Sequence, residues 1–192
     1  SAAALINAGG PWINQIMERI RPQPEILPIE WVRGSHIILP GPAEEHIYYL
    51  ESPTDRRAIF VMPWYGQTMV GTTEQFHFGD PAKVEPTAEE VEYLLGVFNF
   101  YFPHRYGKPA SADMITKRFA GLRVLPKDEL DPFHRTRETL FGYDDKRKPR
   151  LVAIYGGKLT SYRSTAAKAL RTLIPQLPTR KAKADTKQLK LK

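Results

Sequence analysis

The sequence contains no cysteine. That excludes disulfides, thiolate nucleophiles and cysteine-based zinc sites, and it agrees with a reducing compartment. It has no apolar run of about 18 residues, so no transmembrane helix is expected. The opening stretch Ser1 to Leu5 has no basic segment, so no signal peptide is read there. Motifs that carry chemistry are missing too. There is no Gly-x-Gly-x-x-Gly, His-Glu-x-x-His, Gly-x-Ser-x-Gly or EF-hand loop, which leaves metal and serine-hydrolase chemistry unsupported. No internal repeat is visible.

What is present is enough for one sizeable core, or one core with an annex: 192 residues, 42% of them hydrophobic. The formal charge is +7, and Thr179 to Lys192 holds six basic residues against the single acid Asp185. The tail therefore carries most of the net charge. It reads as a solvated, disordered terminus, with anionic lipid or nucleic acid as the rival partner. A nucleic-acid surface would interleave its cations with aromatics on a folded face. That pattern is absent, so no nucleic-acid partner is expected.

Along the chain, Ala2 to Ala8 reads as a buried strand running into Gly9-Gly10-Pro11. Trp12, Ile13, Ile16, Met17 and Ile20 then recur at helical spacing. Pro22, Pro24 and Pro28 forbid regular helix and mark a crossover. The segments Ser35–Leu39 (ended by Pro40-Gly41-Pro42), His46–Glu51, Arg57–Trp64 and Thr68–Thr73 read as strands of an antiparallel meander. Thr87 with Glu90 is a capping box that opens a helix from Ala88 to about Tyr101. Met114–Gly121, Thr139–Tyr143 and Leu151–Tyr155 read as strands, and a helix follows from about Thr160 to Ile174.

Four constellations are candidates for chemistry. Tyr155-Gly156-Gly157-Lys158-Leu159-Thr160 runs from a strand through two glycines into a helix. Such a turn suits a phosphate or the electron-rich edge of a flavin, and equally a turn packed for its own sake; the spacing is not that of a P-loop. Ala120-Gly121-Leu122-Arg123 places an arginine at a strand end, as an anion clamp or a surface ion pair. Arg33-Gly34-Ser35-His36 puts a histidine within a strand, where a structural role competes with a catalytic one. Asn7-Ala8-Gly9-Gly10-Pro11-Trp12 is again strand, glycines and helix start.

Taken in order, these four motifs, with Ile59-Phe60-Val61-Met62-Pro63-Trp64 and Val70-Gly71-Thr72-Thr73-Glu74, resemble the FAD-dependent glycerol-3-phosphate dehydrogenases. That family lies among the D-amino-acid-oxidase-like flavoenzymes. The resemblance runs from about Asn7 to Pro175. It departs at Gly9, where the family usually has Thr, at Glu74, usually Asp, and at Val124, usually Pro.

The resemblance implies an α+β fold. A substrate domain built on a mixed, largely antiparallel sheet with flanking helices occupies 25–150. Partial α/β pieces of an FAD-binding domain, 1–24 and 151–178, bracket it, and 179–192 is the basic tail. It implies FAD as cofactor, held by Ala8, Gly9, Gly10, Trp12, Gly156, Gly157, Lys158, Leu159 and Thr160. It implies His36 and Lys158 as catalytic groups at the reacting carbon, and Arg123 and Arg137 as phosphate ligands, with Arg135 close enough to compete for the second match. The implied reaction is oxidation of sn-glycerol 3-phosphate to dihydroxyacetone phosphate. Electrons then pass to quinone, with peripheral contact at the inner face of the cell membrane, or to oxygen; the compartment is cytoplasmic. The dinucleotide fingerprint is missing, so the chain is expected to continue upstream of Ser1 and, by itself, to be colourless and inactive. Two rivals stand beside this reading: a related flavoenzyme that oxidises another 2-hydroxy acid or an amine, with Arg123 on a carboxylate, and a non-enzymatic module binding through the basic tail.

Overall fold

The structure, a computed structural model, describes residues 2–41, 46–127, 137–181 and 183–189. Pro42, Arg135 and the tail residues Lys190 and Lys192 lie outside them. In chain order the elements are β1 (Leu5–Asn7), α1 (Ile13–Met17), β2 (Ile29–Leu39), β3 (Tyr48–Glu51), β4 (Ala58–Trp64), β5 (Gln67–Gly71), β6 (Gln75–His77), α2 (Ala88–Tyr101), β7 (Lys117–Pro126), β8 (Thr139–Tyr143), β9 (Leu151–Gly156) and α3 (Tyr162–Leu173). The α+β class expected from the sequence is what the chain adopts, with antiparallel pairing dominant. No helix among the described residues is long and apolar enough to cross a membrane.

The chain divides into two compact units, with the changes from one to the other at Glu30/Trp31 and Arg123/Val124. The unit formed by the middle of the chain carries strands in the order β3-β4-β5-β2-β6, with β7 also pairing β2. Side chains alternate across a strand, and here the alternation separates two faces. Ile37, Leu39, Ile59, Val61 and Val70 form the core with Val91, Leu94 and Phe98 of α2. On the other face, the registers align Tyr49, Phe60, Gly71 and His36 in a single row across four strands.

Helix α2 has the bounds read from the sequence, and its capping box is formed. Thr87 Oγ1 accepts from Glu90 N at 3.3 Å, and Glu90 Oε2 accepts from Thr87 N at 3.0 Å. Strand β2 starts at Ile29, six residues before the expected Ser35, because Trp31, Val32 and Arg33 pair with β6. β6 itself, a three-residue strand of mixed polarity, was not foreseen. β7 starts three residues later than expected, since Ala112–Met114 turns as a 3-10 helix.

The other unit is a three-stranded sheet ordered β1-β9-β8, with β1 parallel and β8 antiparallel to β9. Ile13 and Met17 of α1 pack with Leu151, Ala153 and Tyr155; Ala169 and Leu173 of α3 pack with Val152. The expected buried strand Ala2–Ala8 is corrected here. β1 is three residues long with only Asn7 buried, since it is an edge strand paired to β9 alone. The stretch 139–150 had been placed in the substrate domain. Its strand β8 pairs along its whole length with β9 and so belongs to this unit. Residues 179–181 and 183–189 form no helix or strand.

Candidate active-site residues

In the middle unit, period-two alternation puts Gly34 and His36 on the face of β2 away from α2. His36 is directly opposite Gly71 of β5. A Cβ on Gly71 would run into the His36 ring, so the missing side chain is what lets the imidazole lie across the sheet. Phe119 of β7 stacks on its open side, with ring centroids 5.0 Å apart and planes 6° from parallel. Burial first, and then the nearby Arg123 cation, hold the His36 pKa below its ordinary value; the Gly34 backbone works weakly the other way. No hydrogen bond of good geometry reaches His36 Nδ1, which is buried. Burial and the neighbouring cation thus favour the neutral ring.

Arg123 lies over Gly34. A Cβ there would sit 2.6 Å from Thr72 Oγ1 and 2.7 Å from Arg123 Nη1. Arg123 Nη2 donates to Thr72 Oγ1 at 3.3 Å, Nη1 donates to the Thr73 carbonyl at 3.4 Å, and Nη1 is 3.8 Å from Glu74 Oε1. Thr73 in turn is fixed from behind. Its hydroxyl accepts from Ser35 N at 2.9 Å and donates to Glu90 Oε1 at 2.6 Å, and Glu90 Oε2 is 2.8 Å from Arg33 Nε. The carboxylate that caps α2 thus anchors the turn that accepts Arg123's hydrogen bonds. Gly34, Gly71, Thr72, Thr73, Glu74 and Phe119 were not singled out as site residues from the sequence. The two glycines beside a strand histidine and a strand arginine were the available signal.

In the other unit, β1 and β9 run parallel with Asn7 opposite Ala153, so the turns Ala8–Trp12 and Gly156–Thr160 leave the same end of the strand pair. In parallel sheets that end is where ligands bind. Asn7 pins the first turn: its Nδ2 donates to the Ile13 carbonyl at 3.0 Å, and its Oδ1 accepts from Gly9 N at 3.1 Å. Gly10 adopts a positive φ of 53°, and nothing lies where its Cβ would be. Gly156 and Gly157 have φ of 65° and 89°, a conformation that disfavours any side chain. Lys158, Leu159 and Thr160 follow, all exposed, and lead through a 3-10 turn into α3. Trp12 is also exposed.

The sequence reading grouped Arg137 with Arg123. The structure places Arg137 in the same unit as Lys158, where both line an open cavity of about 500 Å³ with Lys168, Arg171 and the hydroxyls of Ser161 and Thr165. Arg123 sits with His36 in the middle unit. Among the described residues, no group of three His, Asp or Glu could hold a metal ion.

The chain is 42% identical over 178 residues to the glycerol-3-phosphate dehydrogenase of Pseudomonas aeruginosa and 37% identical over 177 residues to the aerobic glycerol-3-phosphate dehydrogenase of Escherichia coli. Each match covers 91% of this chain and 34% of the relative, so the chain spans about a third of their length. Among solved structures, the glycerol-3-phosphate dehydrogenase of Bacillus halodurans complexed with FAD matches with a TM-score of 0.71 and 28% identity, over 90% of this chain and 32% of that one. The family model described as FAD dependent oxidoreductase matches residues 1–163. The chain belongs to the FAD dependent oxidoreductase family.

Proposed function

We propose that this chain is the substrate-recognition and flavin-edge portion of a glycerol-3-phosphate dehydrogenase, which oxidises sn-glycerol 3-phosphate to dihydroxyacetone phosphate. The observation that carries the reading is the pair His36 and Arg123: a neutral imidazole and a guanidinium on one sheet face, each seated over a glycine in the neighbouring backbone.

The residues present fit FAD at one edge. Two turns with positive-φ glycines leave the same end of a parallel strand pair, and the second opens a helix whose first amides favour electron-rich groups. Ala8, Gly9, Gly10 and Trp12 would hold the cofactor from the first turn; Gly156, Gly157, Lys158, Leu159 and Thr160 would hold it from the second. Bound FAD supplies the two-electron acceptor for the hydride that leaves C2 of the substrate.

His36 Nε2 accepts the C2 hydroxyl proton. A base whose pKa is held below the ordinary histidine value is unprotonated at neutral pH and ready for this step. Once protonated, the imidazole is destabilised by its burial and by Arg123, which favours release of the proton and resets the base. Lys158 places an ammonium at the flavin-edge turn, where it steadies negative charge developing in the reaction. Arg123 binds the substrate phosphate by charge-assisted hydrogen bonds, and Arg137, in the other unit, offers a further cation for an anionic group. Quinone is the proposed electron acceptor. The proposed setting is the cytoplasmic side, in peripheral contact with the inner face of the membrane, in keeping with the positive charge of the tail.

The test is a substrate panel on the full-length, FAD-loaded enzyme that contains this chain, comparing glycerol 3-phosphate, glycerol, glycerate and D-amino acids. The account expects oxidation of glycerol 3-phosphate with a KM far below that of glycerol. Preference for glycerate or an amino acid would reassign Arg123 to a carboxylate and defeat the proposal.

A further inference from the structure

The proposed chemistry needs an imidazole at position 36, but it does not by itself explain the slot in which that imidazole is held. On one side is the bare backbone of Gly71, in register with His36 and too close to admit a Cβ. On the other is the ring of Phe119, 5.0 Å away and within 6° of parallel. A histidine on an open sheet face would sample several staggered rotamers, each with a different nitrogen direction. Between a flat ring and a flat backbone, only a narrow set of orientations survives.

We propose that Phe119 and Gly71 are positioning residues for His36: together they form a two-walled slot that fixes the imidazole plane and keeps water from the face Phe119 covers. This rests on the reading of His36 as the base. Two effects of Phe119 oppose each other. An aromatic face attracts a cation, by about 0.5–1 kcal/mol where exposed, which would favour the protonated ring. Excluding water disfavours it. The surrounding charges decide the sign. From β7, Arg123 faces His36 and repels a second cation. Glu74, next to β5, is committed to Arg123. β5 itself contributes only the uncharged Gly71 at this point. Arg33 of β2, the strand of His36, lies on the opposite face, paired with Glu90. Among the described residues no carboxylate is placed against the ring to reward protonation, so water exclusion prevails and Phe119 favours the neutral form.

The test is NMR of the His36 ring across pH in the wild-type chain and in Phe119→Leu, with Phe119→Tyr as the conservative control. Loss of the wall should move the His36 titration up toward about 6.5 and average its ring signals. In the full-length, FAD-loaded enzyme, kcat should fall about ten- to hundredfold through misorientation. KM should hardly change, and the acidic limb of the rate should rise in parallel with the titration. Phe119→Tyr should restore all three. Gly71→Ala, which forces the ring off the backbone, should act in the same direction and serves if Phe119→Leu does not fold. A His36 titration that stays in place, or moves down, in both variants overturns the proposal. His36→Gln separates the two layers: a retained rate there removes the base role, whereas the ring titration judges the slot by itself.

Discussion

Replacing Arg123 with alanine in the full-length enzyme should separate substrate binding from folding, because its guanidinium contacts Thr72, Thr73 and Glu74 and is proposed to hold the substrate phosphate. In binding, a charge-assisted hydrogen bond to a phosphate is worth about 1.5–3 kcal/mol, so kcat/KM for glycerol 3-phosphate should fall about ten- to hundredfold, mostly through KM. In folding, the loss leaves Glu74 without a cation that stands 3.8 Å away, and Glu74 is only 7% exposed. Breaking a fully buried pair costs about 3–5 kcal/mol. Arg123 keeps 29% of its side chain in solvent, and screening reduces the expected cost to about 1 kcal/mol. In a chain of this size that lowers Tm by about 2–4 °C. The double variant Arg123→Ala with Glu74→Gln removes the stranded charge. It should recover the stability and leave the KM defect. Steady-state kinetics on glycerol 3-phosphate and on glycerol, with thermal melts of all variants, read both effects. Glycerol lacks the phosphate, so its kinetics should hardly change. An equal loss on both substrates, or recovery of KM in the double variant, would show that Arg123 acts through the fold.

Three further outcomes are expected. His36 titrates below about 6.5 in the folded state, so the unfolded chain takes up its proton first as pH falls. The stability held by the neutral ring is complete above that value and is lost as pH drops through and below it, and urea melts should show His36→Gln flattening that dependence. Phe98 is fully buried between α2 and the sheet, and Phe98→Ala should cost about 3–5 kcal/mol in the same assay. Gly157→Ala adds a Cβ at a φ of 89° and against Thr139 Oγ1. In the full-length enzyme it should weaken retention of FAD, measured by flavin absorbance after gel filtration, and leave the His36 ring signals unchanged.

The elements most legible in the sequence were those whose local and tertiary signals agree. Thr87 and Glu90 marked the start of α2 because a capping box is a purely local device, and the apolar stripe behind it continued without interruption to Tyr101. The strand pair β8 and β9 had clear bounds, but the unit to which β8 belongs was hidden, since pairing with β9 is set by long-range register. β6 went unread because Gln75-Phe76-His77 is too short and too polar to alternate visibly; its pairing with β2 is a tertiary effect. At the site, His36, Arg123 and Lys158 were noticed as residue types beside glycines. Their surroundings were not. Nothing local shows that Gly71 faces His36 or that Gly34 underlies Arg123, because each contact joins strands far apart in the chain. Phe119 was legible only as part of the strand Met114–Gly121; its stacking against the histidine joins β7 to β2 over a long stretch of chain.

The central claim is that His36 takes the substrate proton, and the most direct measurement is the pH dependence of flavin reduction by glycerol 3-phosphate in rapid mixing, wild type against His36→Gln. The account predicts that the substitution slows reduction by about 10²–10⁴, the span of one general acid–base group, with substrate affinity nearly unchanged. The acidic limb below the ordinary histidine range should disappear with the imidazole. Reduction at the wild-type rate, with the same acidic limb, would contradict it.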